Sequence, residues 1–341
     1  MLNKVIAEDK IQNSRKWVEK VDKIVIVAHV SPDGDAIGSS LGLYHFLNQL
    51  GKQVNVIVPD PFPGFLSWMK SSNDILIAER YPQLAEETIA AAELIFCLDF
   101  NSLKRISLLA PWVESSTAKK IMIDHHLDPD PFCDMLISYP EVSSCSELVF
   151  RFICRMGMFE YINLFCAECI YTGMMTDTGA FTYNSNSSQI YYIISELLNL
   201  GIDKDAIYNR VYNNYSESRI RFKGFILHEK MKIFEEYHTS LIALSKDEQQ
   251  RFSLKKGDTE GIVNIPLSIK DIVFSVFIRE DNDMIKISLR SQGQFPANRF
   301  AAEAFNGGGH LNASGGEFYG TLEEAVEIFQ RTLLNYGDLL K

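Results

Sequence analysis

No uninterrupted apolar stretch in this sequence approaches the ~20 residues that a membrane-spanning helix needs, so no bilayer span is expected. The opening residues, MLNKVIAEDKIQNSRKWVEK, lack the uncharged apolar centre of an export signal, and a cytoplasmic location is the expectation. Cysteine is sparse: Cys97, Cys133, Cys145, Cys154, Cys166 and Cys169 are scattered through the first half. Cys166 and Cys169 form a C-x-x-C inside an apolar helical pattern, with no second pair. That argues against a zinc ribbon or a redox motif and for buried free thiols in a reducing compartment. Basic side chains are the minority, 33 against 44 acidic ones, for a net charge of -11. Without a basic stripe, such a surface repels long nucleic acids. A short anionic substrate, met by a metal or a local basic patch, fits better. Internal repeats and low-complexity segments are also missing.

What is present is ordinary for a globular chain: 341 residues, 46% hydrophobic and 23% charged, which suggests two domains. The most informative stretch is IVIVAHVSPDGDAIG, residues 24–38. Its β-branched run Ile24–Ala28 reads as a strand buried on both faces. His29, Asp33 and Asp35 follow in the pattern H-x-x-x-D-x-D, before a helix over 36–50 closed by Gly51. Further strands are expected at 54–58, 94–98 and 120–123, with helices at 3–21, 83–91, 143–156, 163–175 and 187–200. Alternating strands and helices indicate a parallel, helix-covered sheet. After about residue 216 the texture changes to a smaller α+β region, with strands at 240–244, 271–279, 284–290 and 315–320 and helices at 295–305 and 322–334. Residues 222–234 read as helix or strand, and 306–310 as a glycine-rich loop. The expected division is 1–191, a helical linker over 192–219, and 220–341.

Asp99 ends the 94–98 strand, Asp124, His125 and His126 end the next, and Asp177 follows a helix. A lone Asp at a strand end is most often a cap or turn residue. Parallel strands, however, bring their carboxyl ends to one edge of the sheet, where open α/β folds bind ligands. Carboxylates with imidazoles suit Mn²⁺, Mg²⁺, Co²⁺ or Fe²⁺, and the lack of thiolates argues against structural zinc. Two ions ~3.5–4 Å apart would clamp a phosphoryl displacement, with one carboxylate bridging them. In the second region, Asn306-Gly307-Gly308-Gly309-His310 is not a P-loop, because no G-K-[ST] follows. Its glycines allow close backbone approach to an anion; otherwise they make a tight turn.

These motifs in order, H-x-x-x-D-x-D, a strand-end Asp, D-H-H, T-D-T and G-G-G-H, resemble the DHH/DHHA1 phosphoesterase superfamily from about Val21 to Phe318. Length and motif order are most similar to the bacterial nano-RNases, which are bifunctional oligoribonucleases and pAp phosphatases. The resemblance implies an α/β fold: a parallel-sheet DHH domain with helices on both faces, joined by a helical linker to a smaller α+β DHHA1 domain. It implies two divalent ions, Mn²⁺ first and Mg²⁺ or Co²⁺ as alternatives. His29 and Asp33 would bind one ion, Asp35, His125 and Asp177 the other, and Asp99 both. Asp124 would orient His125 through its ring N–H, and His126 would face the substrate phosphate. Arg105 would lie near the site. Arg290, Ser291, Gly307, Gly308, Gly309 and His310 would grip the nucleotide and its terminal phosphate, with Arg279 as a weaker candidate. Here Asn306 stands where the family loop commonly has a further glycine. Substrates would be short RNA and nucleoside bisphosphates, hydrolysed by a metal-activated water, and a homodimer is suggested.

Two rival classes remain at this point. One is another phosphoesterase of the superfamily, acting on cyclic dinucleotides, polyphosphate or pyrophosphate. The pyrophosphatase relatives lack a GGGH domain and use a basic cluster not seen here. The other is a non-catalytic nucleotide-binding protein, which would be expected to have lost some of the seven positions His29, Asp33, Asp35, Asp99, His125, His126 and Asp177.

Overall fold

The computed structural model describes residues 4–255 and 257–340. The chain divides into two compact units, 1–214 and 215–341.

The first unit is built on six strands: β1 (Lys23–Val27), β2 (Gln53–Val58), β3 (Leu76–Ile77), β4 (Leu94–Leu98), β5 (Lys119–Asp124) and β6 (Met135–Ser138). They pair in the order β3-β2-β1-β4-β5-β6, and every pairing is parallel. Its helices are α1 (Glu8–Lys20), α2 (Gly34–Gln49), α3 (Pro82–Ala90), α4 (Ala110–Ser115), α5 (Cys145–Arg155), α6 (Leu164–Asp177), α7 (Ser188–Asn199) and α8 (Lys204–Tyr212). The period of two along each strand decides which helices it meets. Ile24, Ile26, Phe96, Leu98, Ile121 and Ile123 point to the face covered by α1, α2 and α5 to α8. Val25, Val27, Ile95, Cys97 and Met122 point to the face covered by α3 and α4. The sequence order jumps across β1, with β2 on one side and β4 on the other. The edge beyond β1, β4 and β5 is therefore a topological switch point.

Helix α2 starts at Gly34, two residues earlier than the pattern suggests. The Asp33 carboxylate caps it, with Oδ1 accepting from Asp35 N–H and Ala36 N–H at 3.0 Å each. Strands β3 and β6 are too short to signal themselves. The expected 192–219 linker is not a separate segment. Ile193, Leu197, Ile202, Ile207 and Val211 are buried in the first unit's core, so α7 and α8 belong to that unit. All six cysteines are free, and burial pushes the Cys166 and Cys169 thiols up.

In the second unit, residues 222–234 are both helix and strand. Helix α9 (Glu217–Phe225) runs through a wide turn into β7 (Met231–Phe234). The rest comprises β8 (Thr239–Leu244), α10 (Lys246–Arg251), β9 (Phe274–Glu280), β10 (Ile285–Ser291), α11 (Ala297–Phe305), β11 (Gly308–His310), β12 (Ala313–Phe318) and α12 (Leu322–Leu333). The sheet order is β11-β12-β10-β9-β8-β7, antiparallel except between β8 and β9. Phe300, Phe305 and Phe329 of α11 and α12 pack on Leu241, Val276 and Leu289 of the sheet.

The glycine-rich segment is a strand rather than a loop. A Cβ on Gly307 would sit 2.0 Å from the Gly315 carbonyl oxygen, so only glycine lets this chain lie so close to β12. Gly309 adopts φ +138 and would meet the Ala313 carbonyl at 2.6 Å. Asn306 caps α11 in the left-handed region at φ 48, a conformation that asparagine tolerates.

Candidate active site

Four chain segments leave the sheet edge or its flanking helices and converge. His29 follows β1, and Asp33 and Asp35 begin α2. Asp99 follows β4 at φ 63, its N–H donating to Ile123 of β5 at 3.1 Å. Asp124 ends β5 with His125 and His126 directly after it, and Asp177 is the last residue of α6.

The inward nitrogens meet carboxylates at distances wider than hydrogen bonds. His29 Nε2 is 3.4 Å from Asp99 Oδ2 and 3.9 Å from Asp33 Oδ1. His125 Nε2 is 3.5 Å from Asp99 Oδ1, 3.5 Å from Asp177 Oδ2 and 3.9 Å from Asp35 Oδ2. Each ring is turned by a backbone carbonyl: His29 Nδ1 faces Val30 O at 2.7 Å, and His125 Nδ1 faces Val142 O at 3.3 Å. A carbonyl only accepts, so Nδ1 carries a proton and Nε2 is the nitrogen turned inward to the carboxylates.

Three sets of ligand atoms, each within 4.8 Å of one another, could hold a cation: His29/Asp33/Asp99, Asp35/His125/Asp177 and Asp99/His125/His126. The donor set fits hard divalent ions, whose octahedral ligands at about 2.1 Å lie about 3 Å apart. Asp99 belongs to two of the sets. Its Oδ1 is buried and has no hydrogen-bond partner among the described residues, the state of an acceptor awaiting a cation.

The electrostatics agree. Burial works against a charged His29, but Asp99 and Asp33 outweigh it and push the imidazole up to about 9. Burial likewise opposes charge on His125, yet Asp99, Asp177 and Asp35 raise it well above the usual value. Burial opposes charge on Asp99 too, and His125 and His29 hold it far below the ordinary carboxylate range. Burial first, then the charges of Asp99 and Asp177, raise Asp35. Burial pushes Asp177 up to about 7, with His125 opposing and Asp99 adding. More carboxylate charge is packed here than the imidazoles neutralise. Asp33 and Asp177 form the accessible mouth, with side chains 50% and 28% exposed.

One expected role is corrected. Asp124 does not orient His125. Its Oδ1 lies 2.7 Å from His126 Nδ1, and its Oδ2 accepts the His126 N–H at 3.0 Å. The turn after β5 folds His126 back onto Asp124 and sends His125 the other way. Arg105 is beside the site: its carbonyl accepts the Val30 N–H at 2.8 Å, and its charge reaches His29.

In the second unit, Arg290 pairs in register with Ala313, and Ala313 with His310. Directly opposed residues share a face. Arg290 and His310 therefore flank a small alanine on one face of the sheet. Ser291 is corrected: its hydroxyl donates to Phe295 O at 2.8 Å and accepts from Asn312 at 2.8 Å, which commits it to the loop after β10. Arg279 is likewise engaged by Asp281 and Thr259. Sequence reading gave the start of α5 no part in the site. Cys145 N–H and Ser146 N–H donate to Asp35 Oδ2 and Oδ1 at 2.6 and 2.9 Å. The S-x-x-E spacing of Ser144 and Glu147 is the signal that marks this helix start.

A parallel sheet with a carboxylate–imidazole cluster at its switch point, followed by a mixed-sheet unit, defines a two-domain metallohydrolase architecture. Residues 23–174 match the DHH family N-terminal domain, and residues 236–335 match the DHHA1 domain. The chain belongs to the DHH/DHHA1 phosphoesterase superfamily. It is 28% identical to the bifunctional oligoribonuclease and PAP phosphatase NrnA of Bacillus subtilis, over 92% of this chain and 94% of that one. To NrnA of Thermus thermophilus it is 29% identical, over 89% and 87%. The crystal structure of an exopolyphosphatase-related protein from Bacteroides fragilis is 63% identical, with TM-score 0.97 and 99% of both chains covered. RecJ of Thermus thermophilus, in complex with Mn²⁺, shares the fold at TM-score 0.55 and 13% identity, over 98% of this chain and 55% of RecJ. Among the described residues, no helix is long and apolar enough to cross a membrane.

Proposed function

We propose that this chain is a metal-dependent hydrolase of short RNA that releases mononucleotides and also removes the 3′-phosphate of pAp. The observation that supports this reading is the buried Asp99 carboxylate, with Oδ2 3.4 Å from His29 Nε2 and Oδ1 3.5 Å from His125 Nε2. The near full-length similarity to oligoribonuclease/PAP phosphatases favours nucleotides as substrates. In this reading His29, Asp33 and Asp99 hold one ion, and Asp35, His125, Asp177 and Asp99 a second, with Mn²⁺ ahead of Mg²⁺ or Co²⁺. Two bound cations supply Lewis-acid charge and lower the pKa of the attacking water. His126, held by Asp124, faces the scissile phosphate, and Arg105 adds positive charge beside His29. In the second unit Arg290 and His310 bind the nucleotide's phosphate, with the open position of Gly308 leaving its backbone approachable. A cytoplasmic location suits the six free thiols. A homodimer belongs to the same reading and is checked by sedimentation.

The test is a substrate panel on chelator-dialysed protein, before and after Mn²⁺. No turnover is expected before the metal. Afterwards an RNA dinucleotide should yield mononucleotides faster than a 24-mer is shortened, and pAp should release phosphate. The name of the 63%-identical Bacteroides fragilis protein favours a second reading, exopolyphosphatase. Turnover of polyphosphate alone would establish that reading, and turnover of pyrophosphate or cyclic di-AMP alone would overturn both.

His310→Ala tests the second unit. Loss of one charge-assisted contact to phosphate is worth about 1.5–3 kcal/mol, so KM should rise roughly tenfold or more while kcat stays within about threefold. A fall in kcat at constant KM would move His310 into the chemistry.

A further inference from the structure

Glu147 and Arg151 form an ion pair one turn apart on α5, at 2% and 4% exposure. Burying two such charges costs desolvation that their attraction seldom repays, so stability alone is a weak reason for the pair. Its geometry supplies another. Arg151 Nε and Nη2 reach Glu147 Oε1 at 2.8 and 2.7 Å. Glu147 Oε2 then accepts both the N–H and the hydroxyl of Ser143, at 3.1 and 2.6 Å. The Glu147 N–H donates to the Ser144 hydroxyl at 3.0 Å. Ser143 is thus held by the Glu147 side chain and Ser144 by the Glu147 backbone N–H, and the neighbours of that clamp face the carboxylate–imidazole cluster. Val142 O turns His125, while Cys145 N–H and Ser146 N–H fix both oxygens of Asp35.

We propose that the buried Glu147–Arg151 pair is the positioning device for one half of the centre, holding residues 142–146 so that they aim Asp35 and His125. The inference rests on the two-ion reading above and deepens it. Among the described residues, the side-chain hydrogen bonds and ion pairs of His29 and Asp33 go to one another and to Val30, Asp35, Ala36 and Asp99, and to none of residues 142–147, so the other half-site does not lean directly on the clamp. The asymmetry is the testable content, because a pair that merely stabilised the fold would act on both ions alike.

The experiment titrates Mn²⁺ into the metal-free full chain by calorimetry, with thermal unfolding of the metal-free protein alongside. The double variant Glu147→Gln/Arg151→Met removes both charges at similar volume and strands neither. Ser143→Ala removes one contact and leaves the pair in place. Wild type should take up two Mn²⁺. Outer partners of metal ligands typically set affinity by roughly 10–100-fold. The double variant should therefore lose at least about tenfold at one site, with the other within about twofold. Ser143→Ala should show the same asymmetry at about threefold, and it decides the matter if the double variant does not fold. Equal weakening of both ions, or no change in a folded variant, overturns this inference and leaves the two-ion reading standing. A wild-type chain that takes up no Mn²⁺ overturns both.

Discussion

Asp99→Asn is expected to lower kcat/KM by at least about 10³-fold, roughly 4 kcal/mol of transition-state stabilisation. Asparagine is chosen because Asp99 sits at φ 63, where alanine would add strain of its own and asparagine is tolerated. The backbone and the shape are kept, and only the charge is lost. Each carboxylate oxygen faces a different imidazole, Oδ2 toward His29 and Oδ1 toward His125. An amide cannot serve as an anionic donor on both sides. Mn²⁺ titration should therefore show both sites weakened together, in contrast to the one-sided loss expected when Glu147 and Arg151 are replaced. Turnover within tenfold of wild type would take Asp99 out of the centre.

Gly38→Ala should be strongly destabilising for a single added methyl in the first unit. Helices α2 and α6 cross so closely there that a Cβ on Gly38 would lie 2.7 Å from Cys169 O and Gly173 N, and 2.8 Å from Gly173 Cα. These are backbone atoms and cannot rotate aside, so the crossing must open. Overpacking of this kind costs about 1–3 kcal/mol. Alanine's better helix propensity returns at most about 1 kcal/mol, and the clash wins. With a net cost of about 1–2 kcal/mol and roughly 2–4 °C per kcal/mol for a unit of this size, Tm of the first unit should fall by about 2–8 °C. Mn²⁺ affinity should fall with it, because α2 carries Asp33 and Asp35 at its start and α6 carries Asp177 at its end. Gly224→Ala in α9, with nothing within 4 Å, is the control and should stabilise its own unit slightly. An unchanged Tm in Gly38→Ala would mean that the two helices have slack.

The cluster residues could be read in the sequence because their physics is topological. A buried β-branched run such as Ile24–Val27 declares a parallel strand, and parallel strands deliver their following residues to one edge. His29, Asp99 and His125 meet for that reason alone, whatever their individual rotamers. Asp33 and Asp177 could be read for a related reason, since the start of α2 and the end of α6 lie at the same edge.

Other features depend on which way a side chain turns or how closely two backbones pass, and no local pattern records these. Asp124 pairs with His126 rather than His125, because the turn after β5 decides which ring folds back. Ser291 reads as a substrate contact until Phe295 O and the Asn312 amide take its hydroxyl. The glycines of GGGH read as a phosphate cradle, yet two of them are required by the close approach of β12. Helices α7 and α8 read as a linker until their apolar faces find the first unit's core.

By itself, then, the sequence determined the two-part α/β and α+β organisation, the strands that bear the cluster, and the identity of its carboxylates and imidazoles. Period, β-branching and cap residues are local properties of the chain. Only the tertiary structure decided that the start of α5 holds Asp35 through the N–H groups of Cys145 and Ser146, and that glycine is needed where α2 crosses α6. Those facts depend on distances between segments well separated in the chain, which packing sets and sequence spacing does not.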